Sequence, residues 1–223
     1  MKRAVVLLSG GLDSATTLFY AKKSGYKIFA LIFDYGQRHK KEIKQAKKIA
    51  QSCRCDYQVL KIRLPWKGSA LLDGKVSLPS NRPLEKIAKA GIPATYVPAR
   101  NIIFLSFAAS YAEAVGAKAV FIGANARDYS GYPDCRPEFF KAFKKALRKG
   151  SKSGVEGRTI EIRTPLIDKT KSQIIALGLR LGVPYRLTWS CYKGGKNPCG
   201  RCDSCLLRRK GFDMVGMRDP LDG

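Results

Sequence analysis

Short, uninterrupted apolar runs alternate along the chain with segments whose apolar residues recur every three or four positions. A run such as "KIFALIFD" favours a strand buried on both faces of a sheet. The spacing of Ile43, Ala46, Ile49 and Ala50 favours a helix with one apolar face. Strands are predicted at residues 3–8 and in "KIFALIFDYG", "DYQVLKI", "KAVFIGAN" and "TIEIRTPL". Helices are predicted at residues 13–24 and in "HKKEIKQAKKIAQSC", "RNIIFLSFAASYAEAVG" and "KTKSQIIALGLRLG".

This alternation of strands and helices predicts an α/β fold with a doubly wound parallel sheet. Ligands of such sheets bind at the carboxyl ends of the strands. Three polar segments follow predicted strands: "SGGLDS" follows the first, "DYGQRH" the second and "GANARDYSGYPDCR" the fourth. We therefore expect these three segments to lie together and to form the functional site.

The periodicity weakens between residues 65 and 98, where Pro, Gly, Ser and Lys become frequent. Long loops in compact domains are often lids, so residues 65–98 are predicted to form a mobile loop. Residues 1–184 are assigned to the α/β domain. Residues 185–223, which contain four of the seven cysteines, are assigned to a C-terminal metal-binding segment packed on that domain.

The chain is strongly basic, since 42 Lys and Arg residues outnumber 17 Asp and Glu residues and give a net charge of +25. Such a charge attracts RNA or anionic metabolites, or reflects surface lysines spread around the fold. The densest basic run, "KAFKKALRKGSK", shares its segment with Phe139, Phe140, Phe143 and Leu147 at helical spacing. It is predicted to be an amphipathic helix with a solvated basic face, so no specific nucleic-acid partner is expected.

The apolar segments are too short to cross a membrane, because no run reaches 18 apolar residues. The initial segment "MKRAVVLLSGG" ends in a polar loop rather than in a cleavage site, which argues against a signal peptide. An odd number of cysteines without a secretory signal indicates reduced thiols. We therefore expect a cytoplasmic protein without a membrane partner.

The segment "SGGLDS" at residues 9–14, here called the phosphate loop, joins the first strand to the first helix. Its backbone N–H groups and the positive end of the helix dipole favour an anion, and Ser14 and Thr16 add hydroxyl donors. The loop has no Walker lysine and does not match G-x-G-x-x-G. Asp13 would repel a phosphate unless a cation lay between them. It is therefore either a ligand of Mg²⁺ or an N-terminal helix cap.

Four cysteines near the C-terminus have the spacing C-x7-C-x2-C-x2-C; they are Cys191, Cys199, Cys202 and Cys205. Gaps of two residues allow thiolates to converge on one tetrahedral ion, and four thiolates favour one structural Zn²⁺ per chain. An iron–sulfur cluster and free thiols are the alternatives. Cys53 and Cys55 are interpreted as packed thiols, and Cys135 is not expected to be a nucleophile.

The phosphate loop directly after the first strand resembles that of the ATP pyrophosphatase (PP-loop) family, which includes GMP synthetase, NAD synthetase and several tRNA-modifying enzymes. The resemblance implies an adenine nucleotide α-hydrolase-like fold that uses ATP with Mg²⁺. It also implies cleavage of ATP between its α and β phosphates, with the pyrophosphate held in the loop and a substrate oxygen adenylated. The nucleotide-binding residues implied are Leu8, Ser9, Gly10, Gly11, Leu12, Asp13, Ser14, Ala15, Thr16 and Phe33.

Five further blocks, spread over most of the chain, resemble the QueC-type 7-cyano-7-deazaguanine synthase family; they are "FDYGQRHKKE", "VPARNIIFLSFAASYA", "DYSGYPDCRPEF", "TPLIDKTKSQII" and "SCYKGGKNPCGRCDSC". This resemblance implies an ATP-dependent ligase for queuosine or archaeosine biosynthesis, and it suggests a homodimer. Such a ligase converts 7-carboxy-7-deazaguanine and ammonia into the nitrile through adenylated intermediates. Free ammonia or a partner protein would supply the nitrogen.

Four residues are catalytic candidates on this basis: Asp13, Lys171, Arg100 and His39. Lys171 and Arg100 would stabilise charge around the α-phosphate. Alternatively, Lys171 is a solvated lysine and Arg100 forms a surface ion pair. His39, the single histidine, would carry a proton, or would only shape the first turn of the second helix.

Five residues are candidates for binding the deazaguanine; they are Asp128, Tyr129, Tyr132, Asp134 and Arg136. A carboxylate of Asp128 or Asp134 matches the N1–H and the exocyclic amine of a guanine-like face. Tyr129 and Tyr132 would stack on the base. Each of these residues could equally stabilise a loop.

Three other classes of protein would share many of these motifs. A PP-loop enzyme that adenylates a tRNA base fits the charge, although the four cysteines are better explained by zinc. A ligase that stops at the amide would carry nearly the same residues. A nucleic-acid-binding module without catalysis is disfavoured because the phosphate loop is intact and includes Asp13.

Overall fold

A five-stranded parallel sheet forms the centre of the computed structural model, which describes residues 1–89, 91–126 and 131–222. Its strands are β1 (Arg3–Leu7), β2 (Lys27–Asp34), β3 (Asp56–Lys61), β4 (Ala119–Phe121) and β5 (Glu161–Arg163). They lie in the order β3-β2-β1-β4-β5, and every neighbouring pair is parallel. The predicted doubly wound parallel sheet is therefore confirmed.

Helices cover both faces of this sheet. They are α1 (Leu12–Lys23), α2 (Lys41–Ser52), α3 (Leu84–Lys89), α4 (Arg100–Ala114), α5 (Pro137–Gly150), α6 (Lys152–Val155), α7 (Lys171–Arg180) and α8 (Asp203–Asp213). One core cluster unites β1 and β2 with α1, α2, α7 and α8. The other core cluster unites the opposite face of the sheet with α4 and α5. Among the described residues, no helix is long and apolar enough to cross a membrane.

The alternation of side chains along β1 explains why its sequence is uniformly apolar. Ala4 and Val6 contribute to the first cluster, and Val5 and Leu7 contribute to the second, so both faces of the strand are buried. The amphipathic helix predicted for the basic run is confirmed as α5. Its apolar side chains pack in the second cluster and its lysines are exposed.

The order in which strands are added to the sheet reverses beside β1. The chain first adds β2 and β3 on one side of β1 and then crosses over to add β4 and β5 on the other side. The connections after β1 and β4 therefore lead to opposite faces and leave a crevice at their carboxyl ends. At Gly123, just beyond β4, a Cβ would lie 2.9 Å from the backbone of Asp13. Only glycine allows the β4 connection to approach the start of α1 this closely.

Residues 65–98 contact the C-terminal segment through backbone hydrogen bonds and an ion pair. Ser80 forms an antiparallel bridge with Cys202, and the N–H of Asn81 donates to the oxygen of Arg201 at 2.8 Å. Arg82 pairs with Asp203, whose side chain is fully buried. This segment also contains α3, which the weak periodicity did not predict.

Candidate active site and cysteine cluster

A cleft of about 330 Å³ lies at the carboxyl ends of β1, β2 and β4. The phosphate loop forms its floor, and residues 122–125 form one wall. The opposite wall consists of Phe33, Tyr35, Gln37, Arg38, His39 and Glu42. The start of α4, Lys171 and residues 189–192 complete the lining. The three polar segments that follow strands 1, 2 and 4 thus meet at one crevice, as the fold predicts.

The phosphate loop is fixed by contacts that glycine alone permits. Gly10 has a φ of +87°, and a Cβ there would collide with the backbone oxygen of Glu42 in α2. The carbonyl of Gly10 accepts a 2.8 Å hydrogen bond from the N–H of Trp189. Ser14 Oγ donates to Gly11 O at 3.0 Å and lies 3.0 Å from Ser9 Oγ. The loop is therefore held open at the start of α1 by neighbours on both sides.

The first turn of α1 directs backbone N–H groups toward the cleft. Gly11 is the N-cap and provides no side-chain acceptor, so the orphan N–H groups of this turn and the helix dipole favour an anion. Leu8, Leu12 and Ser14 line the cleft, whereas Ala15 is fully buried in the core. Thr16 is also buried, and its hydroxyl contacts Leu12 O and the hydroxyl of Tyr185, so it faces away from the predicted phosphate.

Asp13 and Lys171 form an ion pair at the edge of the cleft. Lys171 Nζ lies 2.8 Å from each carboxylate oxygen of Asp13. Lys171 is the first residue of α7, which Thr170 and Gln173 cap with a reciprocal capping box. This cap fixes the helix start, so the lysine side chain reaches across to α1. The two predicted catalytic residues therefore lie together, beside the N–H groups of the loop.

Aromatic rings form the wall above β2. Phe33 stacks on Phe104 of α4, with ring centroids 3.9 Å apart and ring planes 2° from parallel. Tyr35 packs edge-on against Phe104 at 5.3 Å. Phe33, a predicted nucleotide-binding residue, is 7% exposed. A flat heterocycle entering the cleft from this side meets a rigid apolar surface.

Arg100 and Glu42 bring ionisable groups to the interior of the cleft, beside the hydroxyl of Tyr35. Arg100 begins α4 and interacts with the hydroxyl of Tyr35. Burial raises the pKa of Tyr35, and the charge of Arg100 opposes that rise. Burial also raises the pKa of Glu42 to about 7, and Arg100 again opposes the rise. Glu42 was not among the predicted site residues, although it ends the quoted block "FDYGQRHKKE".

His39 lies at the junction of the cleft with the C-terminal segment. It lines the cleft and packs so closely on Gly194 that a Cβ there would collide with the imidazole ring. Its Nδ1 is buried and has no hydrogen-bond partner among the described residues. Burial lowers the pKa of His39, which keeps the ring neutral at physiological pH.

Only some of the residues predicted to bind substrate reach the cleft. Tyr132 lines it and contacts the hydroxyl of Thr95 at 2.8 Å. Asp134 is 5% exposed and accepts a 2.9 Å hydrogen bond from the N–H of Asn101 in α4. Arg136 is exposed at the N-terminus of α5 and lies outside the lining. Asp128 and Tyr129 fall outside the residues that the structure describes.

Cys135 is a buried thiol of the lining. Asn101 Nδ2 donates to its sulfur at 3.2 Å. Burial and the neighbouring Asp134 raise the pKa of the Cys135 thiol to about 12. The sulfur therefore stays protonated near neutral pH, and this agrees with the expectation that Cys135 is not a nucleophile.

The four cysteines of the predicted metal site come together beside the cleft. The sulfur atoms of Cys191, Cys199, Cys202 and Cys205, here called the cysteine cluster, all lie within 4.8 Å of one another, and none is in a disulfide. Sulfurs around a tetrahedral zinc lie about 3.8 Å apart, given a Zn–S bond of about 2.3 Å. Backbone N–H groups of Lys193 and Cys199 point at the sulfur of Cys191 at 3.4 and 3.3 Å. The cysteine cluster could therefore bind a metal ion.

Trp189 connects the cysteine cluster to the phosphate loop. Its indole N–H donates to Cys191 O at 2.9 Å, and its backbone N–H donates to Gly10 O at 2.8 Å. Lys41 Nζ lies 3.5 Å from the centre of its ring and donates to the carbonyls of Gly195 and Lys196. Sequence patterns did not identify Trp189, because its role depends on contacts between distant segments.

Arg208 fixes the end of the chain to the same region. Its guanidinium forms a buried pair with Asp219, with Nε to Oδ2 at 2.6 Å and Nη2 to Oδ1 at 2.9 Å. It also donates to Thr188 Oγ1 at 2.7 Å, next to Trp189. The segment after α8 thus stabilises the connection that reaches the phosphate loop.

The fold and the cleft define an α/β nucleotide-binding enzyme of the PP-loop class. An NMN synthetase from Francisella tularensis shares the fold, with a TM-score of 0.52 and 18% sequence identity over 97% of this chain and 78% of that one. The chain belongs to the QueC family, because residues 3–216 match the family model described as queuosine biosynthesis protein QueC.

Curated relatives agree with this assignment. A 7-cyano-7-deazaguanine synthase from Trichodesmium erythraeum is 53% identical over 221 residues, which cover 98% of this chain and 99% of the relative. Another, from Thermoplasma acidophilum, is 54% identical over 99% of this chain and 92% of its own length. The family suggested by the sequence blocks is thereby confirmed.

Proposed function

We propose that this protein converts 7-carboxy-7-deazaguanine, ammonia and ATP into 7-cyano-7-deazaguanine, AMP and pyrophosphate. The observation that carries the proposal is the meeting of the phosphate loop, the Asp13–Lys171 pair and an aromatic wall in one cleft of a QueC-family chain. The aromatic wall offers a surface for the heterocycles, and the loop offers N–H donors for phosphates.

The first step needs charge stabilisation rather than an activated side chain, because a carboxylate is already a nucleophile. A carboxylate oxygen of the substrate attacks the α-phosphorus of ATP, and the bond from that phosphorus to the bridging oxygen breaks. The products are an acyl adenylate and pyrophosphate. We assign Lys171 and Arg100 to the charge that develops on the phosphoryl oxygens, and the N–H groups of the phosphate loop to the pyrophosphate.

Two further steps lead to the nitrile. Ammonia attacks the acyl carbon, the C–O bond breaks, and AMP leaves with formation of the amide. The amide oxygen then attacks the α-phosphorus of a second ATP, and the bond from that phosphorus to the bridging oxygen breaks with release of a second pyrophosphate. Loss of the remaining N–H protons and cleavage of the C–O bond release AMP and leave the C≡N triple bond. We propose that Tyr132 contacts the deazaguanine, since its side chain faces the cleft.

Two metals complete the proposal. The carboxylate of Asp13, at the mouth of the phosphate loop, suits an Mg²⁺ that also binds phosphate oxygens, and Mg²⁺ would supply charge neutralisation there. Lys171 must then turn from Asp13 toward the phosphates. The cysteine cluster suits one structural Zn²⁺ because it offers four sulfurs and no open position for substrate.

We also propose a cytoplasmic homodimer in which residues 1–184 form the ATP-binding domain and residues 185–223 the zinc-binding segment. The thiols of the cysteine cluster support a reducing compartment. Light scattering coupled to gel filtration measures the mass of the assembly. A monomer at micromolar concentration would contradict the dimer.

Product analysis tests the proposed function. The purified protein is incubated with ATP, magnesium, ammonium and 7-carboxy-7-deazaguanine, and the products are analysed by mass spectrometry. The nitrile, AMP and pyrophosphate are expected. An amide as the final product would indicate the amide-forming ligase, and ADP with phosphate would exclude adenylation.

A further inference from the structure

Glu42 places a second carboxylate in a cleft that we assign to anionic substrates. Among the described residues of the lining, Asp13 and Glu42 are the acidic ones, and Asp13 is paired with Lys171. ATP and a carboxylate substrate are both negative, so an additional acid repels them at short range. A carboxylate at this position can, however, attract a cation into the cleft.

The position of Glu42 is set by the fold. It lies in the first turn of α2, and its backbone oxygen touches the phosphate loop at Gly10. The carboxylate has no hydrogen bond or ion pair among the described residues, and the charge that favours its ionised form comes from Arg100. Glu42 is partly buried and lines the cleft near both Arg100 and the loop. Its oxygens are thus available to a small cation inside the cleft.

We propose that Glu42 binds the ammonium ion and removes the proton that makes its nitrogen a nucleophile. The inference rests on the proposed function, in which ammonia attacks the acyl adenylate. Ammonium is the main form of ammonia at neutral pH, and it has no lone pair for that attack. A carboxylate both attracts the ion and accepts its proton.

The atoms and charges of the step balance without another reactant. One N–H bond of NH₄⁺ breaks and the proton moves to a carboxylate oxygen of Glu42, which leaves neutral ammonia in contact with the site. The nitrogen lone pair forms the C–N bond, and the C–O bond to AMP breaks. The excess proton on nitrogen is lost to solvent or to AMP. Glu42 then returns its own proton to solvent.

The environment of Glu42 suits this transfer. A base is most effective when its pKa lies near the working pH, and burial brings the pKa of Glu42 to about 7. An ordinary exposed glutamate, with a pKa of about 4.3, would be a weaker acceptor for an ammonium proton. The neutral ring of His39 carries no charge that would attract the ion.

The experiment uses the variant Glu42→Gln, which keeps the shape of the side chain. It measures adenylation of the substrate and attack by nitrogen separately. The first measurement is exchange of labelled pyrophosphate into ATP that depends on 7-carboxy-7-deazaguanine. The second is trapping of the acyl adenylate as a hydroxamate by hydroxylamine, which is uncharged at neutral pH and needs no deprotonation before attack. The third is formation of amide and nitrile from ammonium.

We expect Glu42→Gln to retain exchange and hydroxamate formation within about threefold of the unmodified protein. Its kcat/KM for ammonium should fall by about 10² or more. Glu42→Asp, which keeps the carboxylate, should recover part of that rate. Asp56→Asn is the matched control, because Asp56 begins β3, lies outside the lining and pairs with Lys27 at the surface. This control should leave all three measurements unchanged.

Two results would overturn the assignment of Glu42. One is ammonium-dependent activity within threefold of normal in Glu42→Gln. The other is an equal loss of exchange and hydroxamate formation, which would indicate a role in nucleotide binding or folding. Failure of the proposed function would look different, because the unmodified protein would then show no substrate-dependent exchange at all.

Discussion

The carboxylate of Asp13 accepts two hydrogen bonds from Lys171 although both side chains face the cleft. Their side-chain exposures are 29% and 18%, so the pair adds little to stability. The Asp13–Lys171 pair instead positions a carboxylate and an ammonium group beside the phosphate loop. The nucleotide and its cation can then replace the internal pair at small energetic cost.

Asp13→Asn should reduce substrate-dependent pyrophosphate exchange by about 10² or more, because the site loses its proposed ligand for Mg²⁺. The free energy of unfolding should change by about 1 kcal/mol or less, since the ion pair is partly exposed. Exchange assays and urea unfolding measure the two effects. Asp56→Asn removes an exposed acid far from the cleft and serves as the control. Normal exchange in Asp13→Asn would exclude the metal role.

Glu42 is predicted to lower the stability of the free protein as the pH rises. Its pKa rises from 4.5 to about 7 on folding, so the folded state prefers the protonated form. The cost is absent below about pH 4 and complete above about pH 7. The difference corresponds to roughly 3 kcal/mol at 1.36 kcal/mol per unit, and partial exposure reduces it. Glu42→Gln should therefore be more stable by about 1–3 kcal/mol at pH 8.

Urea unfolding of Glu42→Gln and of the unmodified protein at pH 5 and pH 8 measures this difference. The gain should shrink as the pH falls toward 5, because Glu42 of the unmodified protein is then protonated in the folded state and no buried charge remains. An equal or lower stability of the variant at pH 8 would contradict the burial of an ionised carboxylate.

Helices with their own periodicity were predictable from the sequence, and helices held by distant contacts were not. The apolar spacing in α2 and the cap of α7 are local signals, and both helices occur close to their predicted limits. The polar segment with α3 pairs with the C-terminal segment, as in Arg82 with Asp203. No local pattern encodes such a contact.

The same distinction applies to the site. The phosphate loop and the cysteine cluster were predictable because their residues are close in sequence. Thr16 fits the loop pattern, yet its hydroxyl is used by Tyr185, which lies 169 residues away. Glu42 was missed because its position in the cleft depends on the approach of α2 to Gly10.

Changing the cysteine cluster tests the metal assignment of the segment that contains α8. Cys199→Ser should lower the zinc content from one per chain toward zero and reduce stability by about 2 kcal/mol or more, since metal binding is coupled to folding. Elemental analysis and thermal unfolding measure both effects. Cys55→Ser alters a thiol outside the cluster and should keep the metal. Iron with a brown colour in the unmodified protein would contradict a zinc site.

The charge of +25 belongs to the molecule as a whole rather than to one binding surface. The exposed lysines of α5 lie on the side opposite its packed phenylalanines, which leaves no aromatic surface for stacking with bases. Long-range attraction of ATP and of the substrate carboxylate is the expected benefit. Binding of RNA should then come only from release of counterions.

A titration with tRNA at roughly 50 and 200 mM salt tests this view. The affinity should fall by about 10³ over that range and should not depend on the RNA sequence. Replacing Lys141, Lys144 and Lys145 by Gln should weaken binding while leaving activity on the free base unchanged. Tight, sequence-dependent binding at the higher salt would favour the tRNA-modifying class.

The connection through Trp189 has a practical consequence for inhibitor discovery. Its backbone N–H donates to the carbonyl of Gly10 and its indole N–H donates to the carbonyl of Cys191, so loss of the proposed zinc would loosen the floor of the cleft. A chelating compound would then be scored as a blocker of ATP use without ever entering the cleft. Hits from a screen should therefore be re-tested with added zinc, and those whose potency disappears should be discarded as metal strippers.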